Sequence, residues 1–334
     1  MSRFEEVGPR TPITYATRVD RIKPRARTAR SVRALIVILL ALFLLTPVFV
    51  MLETAFKSRS DVVSVPPKIV FEPTLEGFVF LFTDRAVVSK GRLPEFQQAA
   101  AAGELNLFER IALRNGQEIT GPSNYAFRLR NSLIIAGFST ITSVVLGVLA
   151  AYAFSRFDVP GKGDLLFFIL STRMLPAVVV TIPLFLMYRR LGLHDTHIGM
   201  ILLYTVFNLS LSVWLLKGFI DEIPREYEEA ALVDGYTRLQ AFFKIVLPQA
   251  MTGIAATAVF CLIFAWNEYA FALMLTSETA RTAPPSIVSN LGRGGIEWST
   301  IAAGTLGFLI PVVIVTFALR RYLLRGVTFG AIRQ

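Results

Sequence analysis

Trp266, Asn267, Glu268 and Tyr269 stand together inside an otherwise apolar stretch, and Arg173 and Asn208 are isolated in two others. Hydrogen-bonding and charged groups are costly in such surroundings and usually face a cavity or a partner. The tetrad combines an aromatic face with an amide and a carboxylate, the groups that a hydroxyl-rich molecule needs; inter-helix hydrogen bonding is the competing role. Arg173 precedes Pro176 by three residues and either shapes a central path or serves as a structural ion pair or a snorkelling side chain. Asn208 is a weaker candidate of the same kind. A second group lies in the polar segment DEIPREYEEAALVDGYTRLQAFFKIVLPQAMTG, Asp221 to Gly253, where Glu226, Glu228 and Glu229 crowd one end and Gly235 and Pro248 interrupt the rest. No G-x-x-x-x-G-K-[ST], no G-x-S-x-G and no paired Cys or His array occurs, so the chain is expected neither to hydrolyse ATP nor to perform covalent catalysis. His194 and His197 flank a short turn and are not read as a metal site. Cys261, the single cysteine, reads as helix packing.

These residues must be positioned by membrane-spanning helices. Of 334 residues, 54% are hydrophobic and only 17% charged, and the mean hydropathy is +0.56, values too apolar for an ordinary soluble domain. A span needs roughly 20 apolar residues. Six segments qualify: 34–52, 132–154, 165–187, 197–216, 253–275 and 301–323. The first has no small-residue cleavage site behind it and reads as a retained helix. The net charge of +10 sets orientation rather than nucleic-acid binding. Arg3, Arg10, Arg18, Arg21, Lys23, Arg25, Arg27, Arg30 and Arg33 make the N-terminal tail, 1–33, cytoplasmic. Both termini, the tail 324–334 and the loop 217–252 then share that side, and 53–131 faces outward. The outer stretch reads either as a solvated loop guarding the mouth or as a contact for a delivery protein. Pro183 and Pro311 read as kinks.

Within the cytoplasmic segment, Pro224 suits the first turn of a helix and the three glutamates favour its N-terminal end. Tyr227, Ala230 and Ala231 form a narrow stripe at i, i+3 and i+4. Asp234-Gly235 ends that helix, a second amphipathic piece runs from Tyr236 to Val246, and Pro248 is expected to break it before the next span. On physical grounds alone this is either a surface loop or a rigid knob for a groove on another protein.

Glu229-Ala230-Ala231, then Asp234-Gly235, then Ile245, Leu247 and Pro248 reproduce the EAA signature of permease subunits of ATP-binding-cassette importers, with its spacing undisturbed. STRMLPAVVVTIPLFLM, FAWNEYAFALML and RRYLLRGVTFGAIRQ extend the resemblance over about 127–334 plus the first helix, to carbohydrate importers of the maltose-permease, MalG-like type. The resemblance implies an all-α, polytopic, six-helix fold of the type I importer permease class, in a bacterial inner membrane. It implies a MalF-like second permease, two copies of an ABC ATPase that bind ATP and Mg, an extracytoplasmic substrate-binding protein, and a sugar or polyol as substrate. The chain itself would hold no cofactor. In that family the EAA helix docks in a cleft of the ATPase, so Glu229 would meet a basic residue there and Gly235 would permit the bend. The region from about Asp84 to Tyr125 looks like an insertion between the first two helices, with no role inherited. A glycerol phosphate or a polyamine remains an alternative substrate, and an ATP-independent secondary transporter a more distant alternative.

Overall fold

The computed structural model describes residues 25–289, 291–292 and 295–329. Most of the basic tail expected over 1–33 and the last residues of the C-terminal tail lie outside the described residues. The chain divides into two compact units, Met1–Val50 and Met51–Gln334. The first is described as most of helix α1 (Arg25–Ala55), which contains an 18-residue stretch of mean hydropathy 3.1. It is apolar all round, the pattern of a helix that faces lipid.

In the second unit, α2 (Arg59–Val62) and α3 (Glu76–Phe82) lead into the region between the first two spans. That region is folded. Strand β1 (Thr83–Val87) pairs antiparallel with β2 (Gln117–Pro122), with a bulge between Asp84 and Arg85, and α4 (Leu93–Ala101) and α5 (Leu107–Arg114) fill the connection. Asn106 and Glu109 form a reciprocal cap that starts α5. Arg85 fastens the hairpin to the core: it pairs with Glu297 at 2.7 Å, donates to Gln117 at 2.7 Å, and lies 3.5 Å over the Phe80 ring. The inserted stretch is thus a structured elaboration, and its hairpin lines a cavity of about 350 Å³ with Arg128 and Glu297.

The core follows: α6 (Tyr125–Arg156), α7 (Lys162–Ser171), α8 (Ala177–Arg190), α9 (His197–Asp221), α10 (Glu226–Val233), α11 (Arg238–Ala241), α12 (Leu247–Gln249), α13 (Met251–Trp266), α14 (Ala270–Leu275), α15 (Ala283–Val288) and α16 (Trp298–Phe329), with a small hairpin of β3 (Leu291–Gly292) and β4 (Gly295–Ile296) before α16. Helices α6 and α9 pack face to face. Buried Ser139, Ser143, Gly147 and Ala151 recur at four-residue spacing along α6, the small-residue seam that lets helices approach closely where lipid supplies no hydrophobic drive. A Cβ on Gly147 would stand 2.4 Å from Cβ of Ser212, and one on Gly253 of α13 would stand 2.3 Å from the Phe219 ring.

Four helices among the described residues are long and apolar enough to span alone: from Ser31, Tyr125, His197 and Trp298. The third and fifth expected spans are not continuous helices. In the third, Lys162–Met174 and Val179–Arg190 are bent by 95°; the fifth is interrupted between Trp266 and Ala270, and a bend of 72° between Arg238–Gln249 and Met251–Trp266 lies just ahead of it. The first break follows from Pro176, whose ring forces Leu175 into extended backbone at ψ 122 and which itself sits at ψ 130. Counting each bent pair as one span restores six. Pro183 and Pro311 lie inside helices that continue through them. Several helices also outrun their apolar windows, because hydropathy marks the lipid-contacting portion and not the helix end.

One turn outside the spans is pinned with unusual care. Asp195, at φ 55, accepts the backbone N–H groups of Ser277, Glu278, Thr279 and Ala280 at 2.9–3.1 Å. Burial opposes ionisation of this carboxyl, but the four donors outweigh it and hold the pKa at about 2. Asn131 donates to the carbonyls of Thr279 and Arg281, each at 3.0 Å, and meets His197 Nε2 at 2.9 Å.

Candidate functional site

The segment carrying the EAA pattern forms a compact knob. Helix α10 starts just after Pro224, with Glu226, Glu228 and Glu229 in its first turn. It ends in a paired closure: Gly235 N–H donates to Leu232 O at 3.1 Å and Tyr236 N–H to Ala231 O at 3.0 Å, with Gly235 at φ +88. This satisfies the terminal carbonyls, and the backbone angle is one that glycine adopts freely. Thr237 and Gln240 then cap each other and open α11.

The buried face of α10 differs from the expected stripe. Tyr227 is 53% exposed and Ala230 is also exposed; Glu228 and Ala231 are the buried pair. The reason is electrostatic. Arg156, the last residue of α6, donates through Nε to Glu228, and Tyr152 donates to the other carboxylate oxygen at 2.9 Å. The Arg156 Nη2 reaches the carbonyls of Ile220 and Ile223 at 3.2 and 2.8 Å. Arg225 donates to Ser155 O at 2.8 Å beside them. Glu229, Asp234 and Gly235 are exposed, as are Val233, Leu239 and Phe243, so the knob presents apolar side chains together with a carboxylate.

The helical run that holds Pro248 ends just before the next span, as expected, but one residue past the proline. Between α11 and α12 the chain makes a wide turn, Phe242–Val246, in which Leu247 N–H bonds Phe242 O five residues back. This shift of register accommodates a residue without an N–H, so the helical run continues to Gln249 and the 72° bend falls at Ala250. Phe242 and Val246 are buried in a cluster with Val148, Leu216, Ile220 and Cys261, while Leu247 is partly buried against it and Ile245 is half-buried. Pro248 is exposed.

The membrane-depth candidates separate. Arg173, Asn208 and Glu268 line one cavity of about 300 Å³ together with Tyr204, Phe264 and Phe271. Arg173 lies 4.3 Å over the Phe264 ring and its buried Nη1 has no hydrogen-bond partner among the described residues. Asn208 donates to Cys261 O at 3.0 Å. Glu268 accepts from Phe271 N at 2.8 Å, Ala272 N at 3.0 Å and the Tyr204 hydroxyl at 2.7 Å. Trp266 and Asn267 are not part of this group. Trp266 is buried, stacked on Phe308 at 4.7 Å and donating to its carbonyl at 3.2 Å; exposed Asn267 donates to Ile263 O at 2.9 Å. The tetrad is a helix break, not a patch midway along a helix: the Asn267 amide binds a carbonyl at the end of α13 and Glu268 takes the first N–H groups of α14. Side chains here compete successfully with the backbone ladder.

Sequence reasoning missed Tyr152, Arg156, Glu228, Phe242 and Val246. The i, i+4 spacing of the last two was a usable signal; the ion pair joins residues 72 apart in the chain and left none.

The family described as "Binding-protein-dependent transport system inner membrane component" matches residues 143–329. The chain is 31% identical over 312 residues to a probable ABC transporter permease protein of Sinorhizobium fredii, covering 92% of this chain and 99% of that one. It is 39% identical over 212 residues to the trehalose transport system permease protein SugB of Mycobacterium tuberculosis, covering 63% and 77%. Among solved structures, a chain of a bacterial ABC transporter involved in import of the acidic polysaccharide alginate superposes with a TM-score of 0.61 at 21% identity, covering 90% of this chain and 98% of that chain.

Proposed function

The chain belongs to the family of binding-protein-dependent transport system inner membrane components, and we propose on that premise that it is the permease subunit of an importer for a sugar or polyol. It is a non-catalytic, multi-pass membrane subunit, and hydrolysis belongs to a separate ATPase. The observation that carries the reading is the knob at Glu226–Val233: a short helix closed at Gly235, presenting Glu229 beside exposed apolar side chains. Such a surface suits a groove on a partner with a basic residue near its rim. The partners in this reading are two copies of the ATPase, which bind ATP and Mg, a MalF-like second permease, and an extracytoplasmic binding protein that delivers the substrate. The basic N-terminal tail supports cytoplasmic termini and a cytoplasmic 217–252 loop, with 53–131 outside. The similarity to a trehalose permease supports a carbohydrate. The cavity of Arg173, Asn208 and Glu268 is the substrate-path candidate, since it gathers polar groups and aromatic rings at a pair of broken helices.

The test is uptake by the complete transporter in vesicles, offered labelled trehalose, a polyol, glycerol phosphate and spermidine, with and without ATP inside. ATP-dependent uptake of trehalose or the polyol, lost in Glu229→Lys, is the expected result. Uptake of only glycerol phosphate or spermidine would replace the substrate, and uptake without nucleotide would overturn the importer assignment.

A further inference from the structure

We propose that Glu228 and Arg156, with Tyr152, form the joint that passes displacement of α10 to the membrane helices α6 and α9; this rests on the importer reading above. Helix α10 has eight residues, and only Glu228 and Ala231 are buried. Ala231 offers contact without a bond. The chain leaving α10 runs through Gly235, at φ +88 with nothing within 4 Å of where a Cβ would stand, a link with little lateral stiffness. Lateral force on α10 therefore enters the core chiefly through Glu228, the buried charged side chain of the helix, beside the bond from its N-cap Arg225 to Ser155 O at 2.8 Å.

That route ends on a single guanidinium. Arg156 is the last residue of α6; its Nε holds Glu228 while its Nη2 holds the carbonyls of Ile220 and Ile223. Those carbonyls lie at and just past the C-terminal end of α9, where the helix dipole favours a cation. Tyr152 adds its hydroxyl to Glu228, and its ring centroid lies 4.7 Å from that of Phe242, in the wide turn leading to α13. Four pieces of the cytoplasmic end thus converge within one hydrogen-bonded cluster. The pair is buried, with side-chain exposures of 6% and 10%. Separating a buried carboxylate from its guanidinium leaves two uncompensated charges, so the cluster resists opening and moves as a unit. From it α6 runs 32 residues, about 48 Å at about 1.5 Å per residue, so a shift at Arg156 is carried through the bilayer by a helix packed tightly on α9. Glu229 makes the external contact; Glu228, one residue earlier, makes the internal one. These are positioning residues.

The experiment uses the full transporter in vesicles, with Glu228→Gln, Arg156→Lys and the milder Tyr152→Phe, which keeps the ring contact with Phe242. Three quantities are read: ATPase copurified with the permease, ATP hydrolysed, and trehalose taken up per ATP. In Glu228→Gln, copurification stays at the wild-type level while uptake per ATP falls about tenfold or more; Arg156→Lys and Tyr152→Phe fall between that variant and wild type. Wild-type uptake per ATP in the assembled Glu228→Gln transporter overturns the joint. So does loss of copurified ATPase with an unchanged ratio in the complexes that remain, which would leave the pair only a folding role. Absence of ATP-driven uptake in the wild-type transporter would instead overturn the importer reading on which the joint rests.

Discussion

The Tyr204 hydroxyl donates to Glu268 at 2.7 Å, linking α9 to the gap between α13 and α14. The same carboxylate caps α14 through Phe271 and Ala272, so one side chain closes a broken helix and ties it to its neighbour. A hydrogen bond to a charged acceptor contributes about 1.5–3 kcal/mol. Tyr204→Phe is expected to lower stability within that range. Glu268→Ala costs more, because two N–H groups lose their acceptor in an apolar setting. A double-mutant cycle on thermal or denaturant unfolding in detergent should show the two effects to be strongly non-additive. Additive losses would mean that the contact is not made.

Arg173 and Asn208 line the same cavity but should answer differently to truncation. Asn208 spans to Cys261 O, so Asn208→Ala is expected to reduce stability by about 1 kcal/mol. Arg173 has a buried nitrogen with no hydrogen-bond partner among the described residues and rests on Phe264. Arg173→Ala should therefore change stability little while raising the substrate concentration for half-maximal uptake by about tenfold. Arg173→Lys keeps the charge but loses the planar contact, and should fall closer to Ala than to Arg. Concentration-dependent uptake by the assembled transporter, alongside unfolding of each variant, separates the two behaviours.

How far the molecule can be read from its residues depends on the range of the interactions. Hydropathy marks the apolar segments because lipid imposes a composition on every span, and four helices among the described residues are long and apolar enough to cross alone. The EAA spacing located the knob because Gly235 and the acidic first turn are local signals. What failed was the assumption that an apolar segment is one helix. Pro176 is visible in the sequence, but the degree of bend is not, and the break at Asn267-Glu268 arises from side chains turning back on their own backbone. Pro248 marks the bend only to within two residues, because the wide turn at Phe242–Val246, invisible to propensity, lets the helical run continue to Gln249. The Glu228–Arg156 pair has no local trace at all: Glu228 and Glu229 are the same residue type side by side, yet the first is buried and the second exposed.

Gly235 offers a test of backbone against surface. Because a Cβ there meets nothing within 4 Å, any penalty comes from φ +88 alone, about 1–2 kcal/mol for an ordinary residue. Asparagine tolerates this region far better than a β-branched residue. Gly235→Asn should retain most ATP-driven uptake, Gly235→Ala should lose part, and Gly235→Val most. Gly235→Asp shares asparagine's tolerance, so a loss there larger than in Gly235→Asn would report charge repulsion at the partner surface. Equal loss in the asparagine and valine variants would contradict the backbone argument.

Asp195 predicts a pH dependence with a definite sign. Its folded pKa, about 2, is below the ordinary value of 3.8, so the carboxylate contributes stability that is fully present above about pH 4 and is lost as pH falls through the folded value. The loop from Ser277 to Ala280 should hold its amide protection unchanged from neutral pH down to about 4 and loosen between about 4 and 2. Asp195→Asn preserves the tolerance for φ 55 but removes the charge from the four donors. That variant should show weakened protection already at neutral pH, with no further loss attributable to this site on acidification. Hydrogen exchange by mass spectrometry on the detergent-solubilised chain resolves the peptide containing 277–280. Identical acid profiles in wild type and Asp195→Asn would show that another group governs the loop.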